Sequence, residues 1–289
     1  MIHRREFSST LFAALAAASF GLRAEPATDL SKQFADIEKA SGGRLGVGVL
    51  DTATGRRAGH REDERFPLCS TFKFLAAAFV LQRADQGKEQ LGRRVVYAPS
   101  NLVTHSPVTE KHADGTGMTI AQLCEATLTL SDNTAANLLL SSFGGPKALT
   151  DFMRSIGDTK TRLDRFETAL NEARPGDPRD TTTPAAMSRS MQKILLGDVL
   201  AVASRAQLLQ WLDGNKTGDA RIRAGLPPAW KVGDRTGSGQ NGSTNDIAIL
   251  RPPGRAPILL AVYLTETQAA PGVRDATLAS VGAAVAAWA

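Results

Sequence analysis

Two hydrophobic periods alternate along the chain, and the places where one gives way to the other mark its organisation. Over 29–43, "DLSKQFADIEKASGG", apolar residues recur every three or four positions, which predicts an amphipathic helix stopped by Gly42-Gly43. "RLGVGVLDTATGRRAGH" (44–60) alternates with a period of two around a turn at Asp51–Gly55, which predicts two strands. From about 66 to 213 the helical period takes over, with helices expected at 70–86, 119–130, 133–143, 146–156, 183–196 and 204–213. Helical punctuation returns briefly at 217–225. Three strands then follow, at 230–238, 244–250 and 257–264, and an Ala/Val-rich helix closes the chain at 274–288.

Strands at both ends and helices between them predict an α/β (α+β) fold. Two early and three late strands make one antiparallel five-stranded sheet flanked by the terminal helices, with an inserted all-helical lobe. The sheet lobe takes 25–65 and 214–289, and the helical lobe takes 66–213, including a long charged loop without clear period at 162–184. A cleft between two such lobes is a usual place for a small-molecule site.

Composition narrows the class. The 289 residues are 42% apolar and 22% charged, as in ordinary soluble globular proteins. The start, "MIHRREFSSTLFAALAAASFGLRAEP", has a basic beginning, a short apolar run and small residues, so 1–24 reads as a signal peptide cleaved after Ala24. "RREF" fits a twin-arginine export signal, and a general secretory signal is the alternative. Either route implies a periplasmic protein with no membrane segment in the mature form. Arg4, Arg5 and Arg23 against Glu6 account for +2 of the net +5, which leaves about +3 for the mature chain. With no block of like charge and no aromatic-basic interleaving, nucleic acid is not an expected partner. The four His are scattered and there is no CxxC or HExxH, so no metal and no cofactor is expected. Nothing suggests oligomerisation, and a monomer is the default.

Four short stretches carry chemistry. Ser70 opens an apolar helix and Lys73 follows three residues on, which places both on one helix face. A serine becomes a nucleophile when a base accepts its proton, and a lysine of lowered pKa can do so. The alternative is an N-cap serine and a surface lysine, and the same spacing recurs at Ser190 and Lys193. The first copy is set apart by Phe72, Phe74 and Leu75, which imply burial on most sides. Ser131-Asp132-Asn133 lies between two helical runs, either as a capped turn or as a hydroxyl for proton relay beside an amide for a substrate. Glu167 and Asn171 share a face in a helical turn and can hold one water between them; the alternative is a solvated loop carboxylate. "DRTGSG" ends a strand with Arg235, Thr236, Gly237 and Ser238, either an anion-binding wall or a polar hairpin edge.

Taken in that order, Ser-x-x-Lys, Ser-Asp-Asn, Glu-x-x-x-Asn and a cation-Thr-Gly strand resemble the class A serine β-lactamases. The resemblance covers about 28–289, and "EKHADGTGMT" and "GNKTGDARIRAG" are similar to that family as well. It implies that Ser70 attacks the lactam carbonyl of a β-lactam and becomes acylated. Lys73 and Glu167, the latter through a water, are its candidate bases, and Glu167 with Asn171 activates the water that deacylates it. Ser131 passes a proton to the departing nitrogen, and the backbone N–H groups of Ser70 and Ser238 form the oxyanion hole. Asn133 and the strand edge hold the substrate's side-chain amide, and Arg165 with Asp180 clamps the loop carrying Glu167.

The same resemblance has departures. Arg235 stands where the family usually has lysine, as in carbenicillin-hydrolysing members, which implies turnover of carboxy-penicillins beside other penicillins and some cephalosporins. Thr244 replaces a common arginine, with Arg221 implied as the substitute charge, and His105 replaces an aromatic residue at the cleft mouth. Cys69 lacks its carbapenemase-type partner, because that position is Gly239, and Cys124 faces Ala77 instead of a cysteine, so both are expected free and buried. The competing readings are a penicillin-binding transpeptidase or carboxypeptidase and a β-lactam sensor domain, which acylate and stall. Glu167 with Asn171 is the feature that separates them from a hydrolase.

Overall fold

The computed structural model describes residues 30–289, and the expected signal peptide at 1–24 lies outside the described residues. Helix α1 (Leu30–Ser41) buries Leu30 and Phe34, and Gly42 ends it in the left-handed region at φ +63°. Strands β1 (Arg44–Asp51), β2 (Arg57–His60), β3 (Lys231–Ser238), β4 (Thr244–Arg251) and β5 (Ile258–Thr265) form the expected antiparallel five-stranded sheet, in the order β2-β1-β5-β4-β3. The late strands thus bring the chain back beside the first one. Strand β5 sits in the middle and is buried at every position, because both faces of the sheet are covered. Its alternate residues divide between two cores. Leu260, Val262 and Leu264 join Leu45 and Val47 against α1 and the last helix, α8 (Pro271–Trp288). Leu259, Ala261 and Tyr263 join the core shared with the helices of the middle segment.

Those helices are α2 (Phe72–Asp85), α3 (Ile120–Thr129), α4 (Asn133–Ser142), α5 (Gly145–Ser155), α6 (Pro184–Leu195) and α7 (Val202–Asp213). Helix α2 is their axis. It packs against α3, α4, α5 and α7, and Phe72 to Ala78 are all buried, so its first two turns are enclosed all round instead of along one stripe. The helix expected to begin at 70 starts as a 3-10 turn, Cys69–Thr71. Ser70 is therefore not an α-helical N-cap, and Thr71, which precedes α2, makes no side-chain cap bond.

Two short ribbons fall outside the pattern reading, Phe66–Pro67 with Thr181–Thr182 and Arg94–Val95 with Met118–Thr119. A pair of two-residue strands carries no period to read. The first ribbon matters for function, because it fastens the end of the charged loop to the segment entering the Ser70 turn. Leu68 N–H donates to Asp180 C=O at 2.8 Å beside it.

Packing at this entry is tight. A Cβ on Gly46 would lie 2.4 Å from the fully buried ring of Phe66, whose face carries the Arg44 guanidinium at 4.1 Å. Gly46→Ala is expected to cost about 1–3 kcal/mol through overpacking, read as a lower urea midpoint at unchanged slope.

Candidate active site

The 3-10 turn at Cys69–Thr71 aims Ser70 into a gap between β3 and α4, and it is closely backed. A Cβ on Gly237 would stand 3.0 Å from Leu68 O and 3.2 Å from Ser70 N, so glycine lets the strand edge approach the turn. One helical turn on, α2 carries Lys73, which is 0% exposed. Its ammonium donates to Ser131 C=O (2.9 Å), Ser131 Oγ (3.2 Å) and Asn133 Oδ1 (2.5 Å), and pairs with Glu167 Oε1 at 3.1 Å. Burial pulls the Lys73 pKa down to about 8, and the neighbouring Glu167 carboxylate opposes the shift.

The same Glu167 oxygen accepts from Ser70 Oγ at 3.2 Å. The other, Oε2, accepts from Asn171 Nδ2 at 2.5 Å, which leaves Asn171 Oδ1 buried without a protein partner. The backbone of Glu167 is held from α4. Asn137 Nδ2 donates to Glu167 C=O and Asn137 Oδ1 accepts from Glu167 N–H, both at 2.9 Å. Pattern reading missed Asn137, although its signal was present as a lone amide four residues after Asn133 in an apolar helix.

The loop around Glu167 is fixed at several points. Arg165 pairs with Asp180 (2.6 Å) and Glu172 (2.6 Å), and Asp180 Oδ1 accepts from the N–H groups of Asp164 (2.7 Å) and Arg165 (2.9 Å). From the sheet side, Gln240 N–H donates to Asn171 C=O at 2.9 Å, and Asn241 Nδ2 donates to Ala173 C=O at 3.0 Å. Asn241 was also missed; its backbone is left-handed (φ 55°), where asparagine is favoured, but no motif marked it.

Between α3 and α4, Ser131 takes a left-handed backbone (φ 60°), and Asp132 caps α4 through Ala135 N–H at 2.8 Å. The turn thus combines a helix cap at Asp132 with a cleft-lining hydroxyl at Ser131. Asn133 Oδ1 accepts from Lys73 and Nδ2 donates one hydrogen to Thr104 C=O at 2.8 Å, which leaves its second N–H for the cleft.

The cleft encloses about 310 Å³ and is lined by Ser70, Ser131, Asn133, Asn171, His105, Arg221, Thr236, Gly237 and Ser238, with Thr217 as an unexpected member. Lys73, Glu167 and Arg235 are absent from its surface. Arg235 corrects the direct anion-gripping role expected of it. It is 0% exposed and donates through Nε to Ser70 C=O (3.2 Å) and through Nη2 to Ser131 Oγ (2.5 Å). Its Nη1 reaches Thr217 Oγ1 at 3.4 Å, and that hydroxyl bonds Thr236 Oγ1 at 2.5 Å. The cation therefore reaches the cleft-lining residues through the Ser70 carbonyl and the Ser131 and Thr217 hydroxyls. Burial lowers the Arg235 pKa to about 10, which leaves it charged at neutral pH. Arg221 is nearer the opening, donating to Gly237 C=O (2.9 Å) and Ser238 Oγ (2.8 Å) while Asp275 pairs with its Nε at 2.9 Å. His105, at φ 64°, places its Nε2 3.0 Å from Leu130 O at the cleft wall.

A serine, a buried lysine and a carboxylate with an amide thus meet beside a strand edge. The model of the β-lactamase enzyme family matches residues 29–289. The chain is 52% identical over 259 residues to β-lactamase L2 of Stenotrophomonas maltophilia, covering 89% of this chain and 85% of the relative. It is 51% identical over 242 residues to β-lactamase CTX-M-8 of Citrobacter amalonaticus, covering 84% and 83%. Among solved structures, an ancestral (GNCA) class A β-lactamase superposes with a TM-score of 0.88 at 66% identity, over 89% of this chain and 98% of that one. The putative class A β-lactamase PenP from Rhodopseudomonas palustris gives 0.88 at 61% identity, with coverage of 89% and 98%. The chain belongs to the class A serine β-lactamases.

The second Ser-x-x-Lys copy of this class A β-lactamase is structural. Ser190 Oγ donates to Asp158 Oδ2 at 2.9 Å and Lys193 Nζ to Ile156 C=O at 2.5 Å. Cys69 and Cys124 are both free and buried, and burial pushes both thiols well above their ordinary range. A side chain at Gly239 would begin 2.7 Å from Cys69 Sγ, so the two positions face one another and glycine leaves the thiol unpaired. Thiol titration is expected to find no reactive group in the native protein and both after denaturation; a fast-reacting native thiol would contradict this packing.

Proposed function

We infer that this chain hydrolyses β-lactams through an acyl-enzyme on Ser70. The observation that carries the reading is the pair of roles open to one carboxylate. Glu167 Oε1 accepts from Ser70 Oγ at 3.2 Å, while Asn171, bonded to Oε2, keeps a buried acceptor in reserve. In acylation, Glu167 takes the Ser70 proton as Oγ bonds to the lactam carbonyl carbon. The N–H groups of Ser70 and Ser238 are assigned to the carbonyl oxygen as it becomes an oxyanion. Ser131 Oγ already accepts from two cations, at 3.2 Å from Lys73 and 2.5 Å from Arg235, so its own proton is free to face the cleft. It gives that proton to the lactam nitrogen as the C–N bond breaks. Lys73 bridges Glu167 and Ser131 and returns the proton gained at one to the other.

Deacylation reuses the carboxylate. A water bonded to Glu167 and Asn171 Oδ1 loses a proton to Glu167 and attacks the ester carbon, and Ser70 Oγ leaves and is reprotonated. Side chains of this chain carry every proton. The substrate carboxylate is assigned to Thr236, Ser238 and Arg221, with Arg235 acting through Ser131 and Thr217. Arginine at 235 supports penicillins, including carboxy-penicillins, as the favoured substrates, with some cephalosporins beside them. The leader at 1–24 supports export to the periplasm, and among the described residues no helix is long and apolar enough to cross a membrane. A DD-peptidase or sensor would acylate as readily, but the Glu167–Asn171 pair favours turnover.

Glu167→Ala is expected to acylate and stall, so intact-protein mass spectrometry after benzylpenicillin should find a stoichiometric adduct that wild type sheds within seconds. Rapid release of penicilloate by the variant would sink the proposed water. Because Lys73 titrates near 8, it is cationic below that pH and neutral above it. Turnover should therefore fall as pH rises through about 8, when the bridge loses its proton; a rate that rises there would make neutral Lys73 the base instead.

A further inference from the structure

Outside the cleft, one cavity is rich in arginine. It encloses about 270 Å³, the share of roughly nine waters of liquid, and five arginines reach its wall: Arg44, Arg65, Arg165, Arg174 and Arg179. Only two carboxylates line it, Asp177 and Glu266, so the wall is net +3. The others that pair with these arginines, Glu64, Glu172 and Asp180, do not line it. With Asp177 and Glu266 these carboxylates match the five arginines in number, but the pairing is uneven. Glu172 is shared by Arg165 (2.6 Å), Arg174 (2.5 Å) and Arg179 (3.8 Å). Arg65 pairs with no carboxylate among the described residues and spends one nitrogen on Lys160 C=O and Thr181 Oγ1, both at 2.9 Å.

The two carboxylates on the wall are already taken. Arg179 holds Asp177 through two nitrogens (2.7 and 3.0 Å), and Arg44 Nε holds Glu266 at 2.9 Å. Guanidinium edges of Arg65 and Arg174 remain with donors to give. They approach from two bodies of structure, Arg44 and Arg65 from the sheet side and Arg174 and Arg179 from the loop that carries Glu167. Donors converging from several directions suit a tetrahedral polyvalent oxyanion better than one planar carboxylate.

We propose that this cavity binds a free phosphate-class oxyanion and that the bound anion braces the Glu167 loop against the sheet. Neither binding nor bracing depends on the β-lactamase reading; only an effect on turnover would.

The test is calorimetric titration of the mature chain with sodium pyrophosphate and with inorganic phosphate, at ionic strength matched with sodium chloride. Arg65→Gln/Arg174→Gln is expected to bind at least about tenfold more weakly, the loss of one or two charge-assisted hydrogen bonds. Arg174→Gln alone serves as the second variant, since its side chain is 68% exposed and its loss is tolerable for folding. In wild type the anion should slow amide hydrogen exchange over 164–181, and in the double variant it should not. Equal affinity in wild type and both variants, or no binding beyond the chloride-matched control, overturns the site. Capture only by phosphatidylglycerol vesicles, without binding of the soluble anions, overturns the free-anion reading. Penicillin hydrolysis without added anion is expected to be the same in wild type and Arg174→Gln. Hydrolysis without anion binding rejects the cavity alone, and anion binding without hydrolysis rejects the enzymatic reading alone.

Discussion

The structure is organised around a charge pair that has been taken out of water. Lys73 and Glu167 stand 3.1 Å apart with both side chains at 0% exposure. Burying two ions is favourable only when the remaining donors and acceptors are also satisfied, and removing one partner leaves an uncompensated charge. The neighbours meet that condition closely. Ser131 and Asn133 take the ammonium's other bonds, and Ser70 and Asn171 occupy the carboxylate. The residues that satisfy the pair are thus the ones proposed to carry the chemistry.

Holding such a pair together requires its two carriers to be rigid relative to each other. Lys73 rides on α2, the buried axis of the helical segment, which needs no further support. Glu167 rides on an irregular loop, which does. Its backbone is held by Asn137 from α4, its flanks by Arg165 and Asp180, and its middle by Asn241 from the turn between β3 and β4. The loop therefore borrows order from three directions. The arginine cavity lies on the outer side of this arrangement, where further bracing would act on the same segment.

Arg235 shows how a local motif and its surroundings divide a role. A strand ending in cation, Thr and Gly suggested a charged wall facing solvent. Instead the guanidinium lies under the wall and works on it through Ser131 and Thr217. A longer side chain than lysine, with several donors in a plane, can reach both hydroxyls and Ser70 C=O at once. Arg221, by contrast, supplies charge at the rim beside Ser238.

Periodicity was enough for the sheet, the helices and their order, because burying one face or stripe imposes a repeat that survives in the residues themselves. β5 was legible as an unbroken apolar run, and α2 as one long enough to be a core helix. The four chemical stretches were legible too, since each needs particular groups at short spacing. What only folding in three dimensions decided was which of these groups face the cleft and which support it from below. Asn137, Thr217 and Asn241 act on partners 19 to 68 residues away, and no local pattern encodes such a contact. The same limit separated Ser70–Lys73 from Ser190–Lys193. The spacing is identical, but only the first pair is folded onto a carboxylate shared by both of its members, while in the second Ser190 ends on Asp158 and Lys193 on the Ile156 carbonyl just past α5.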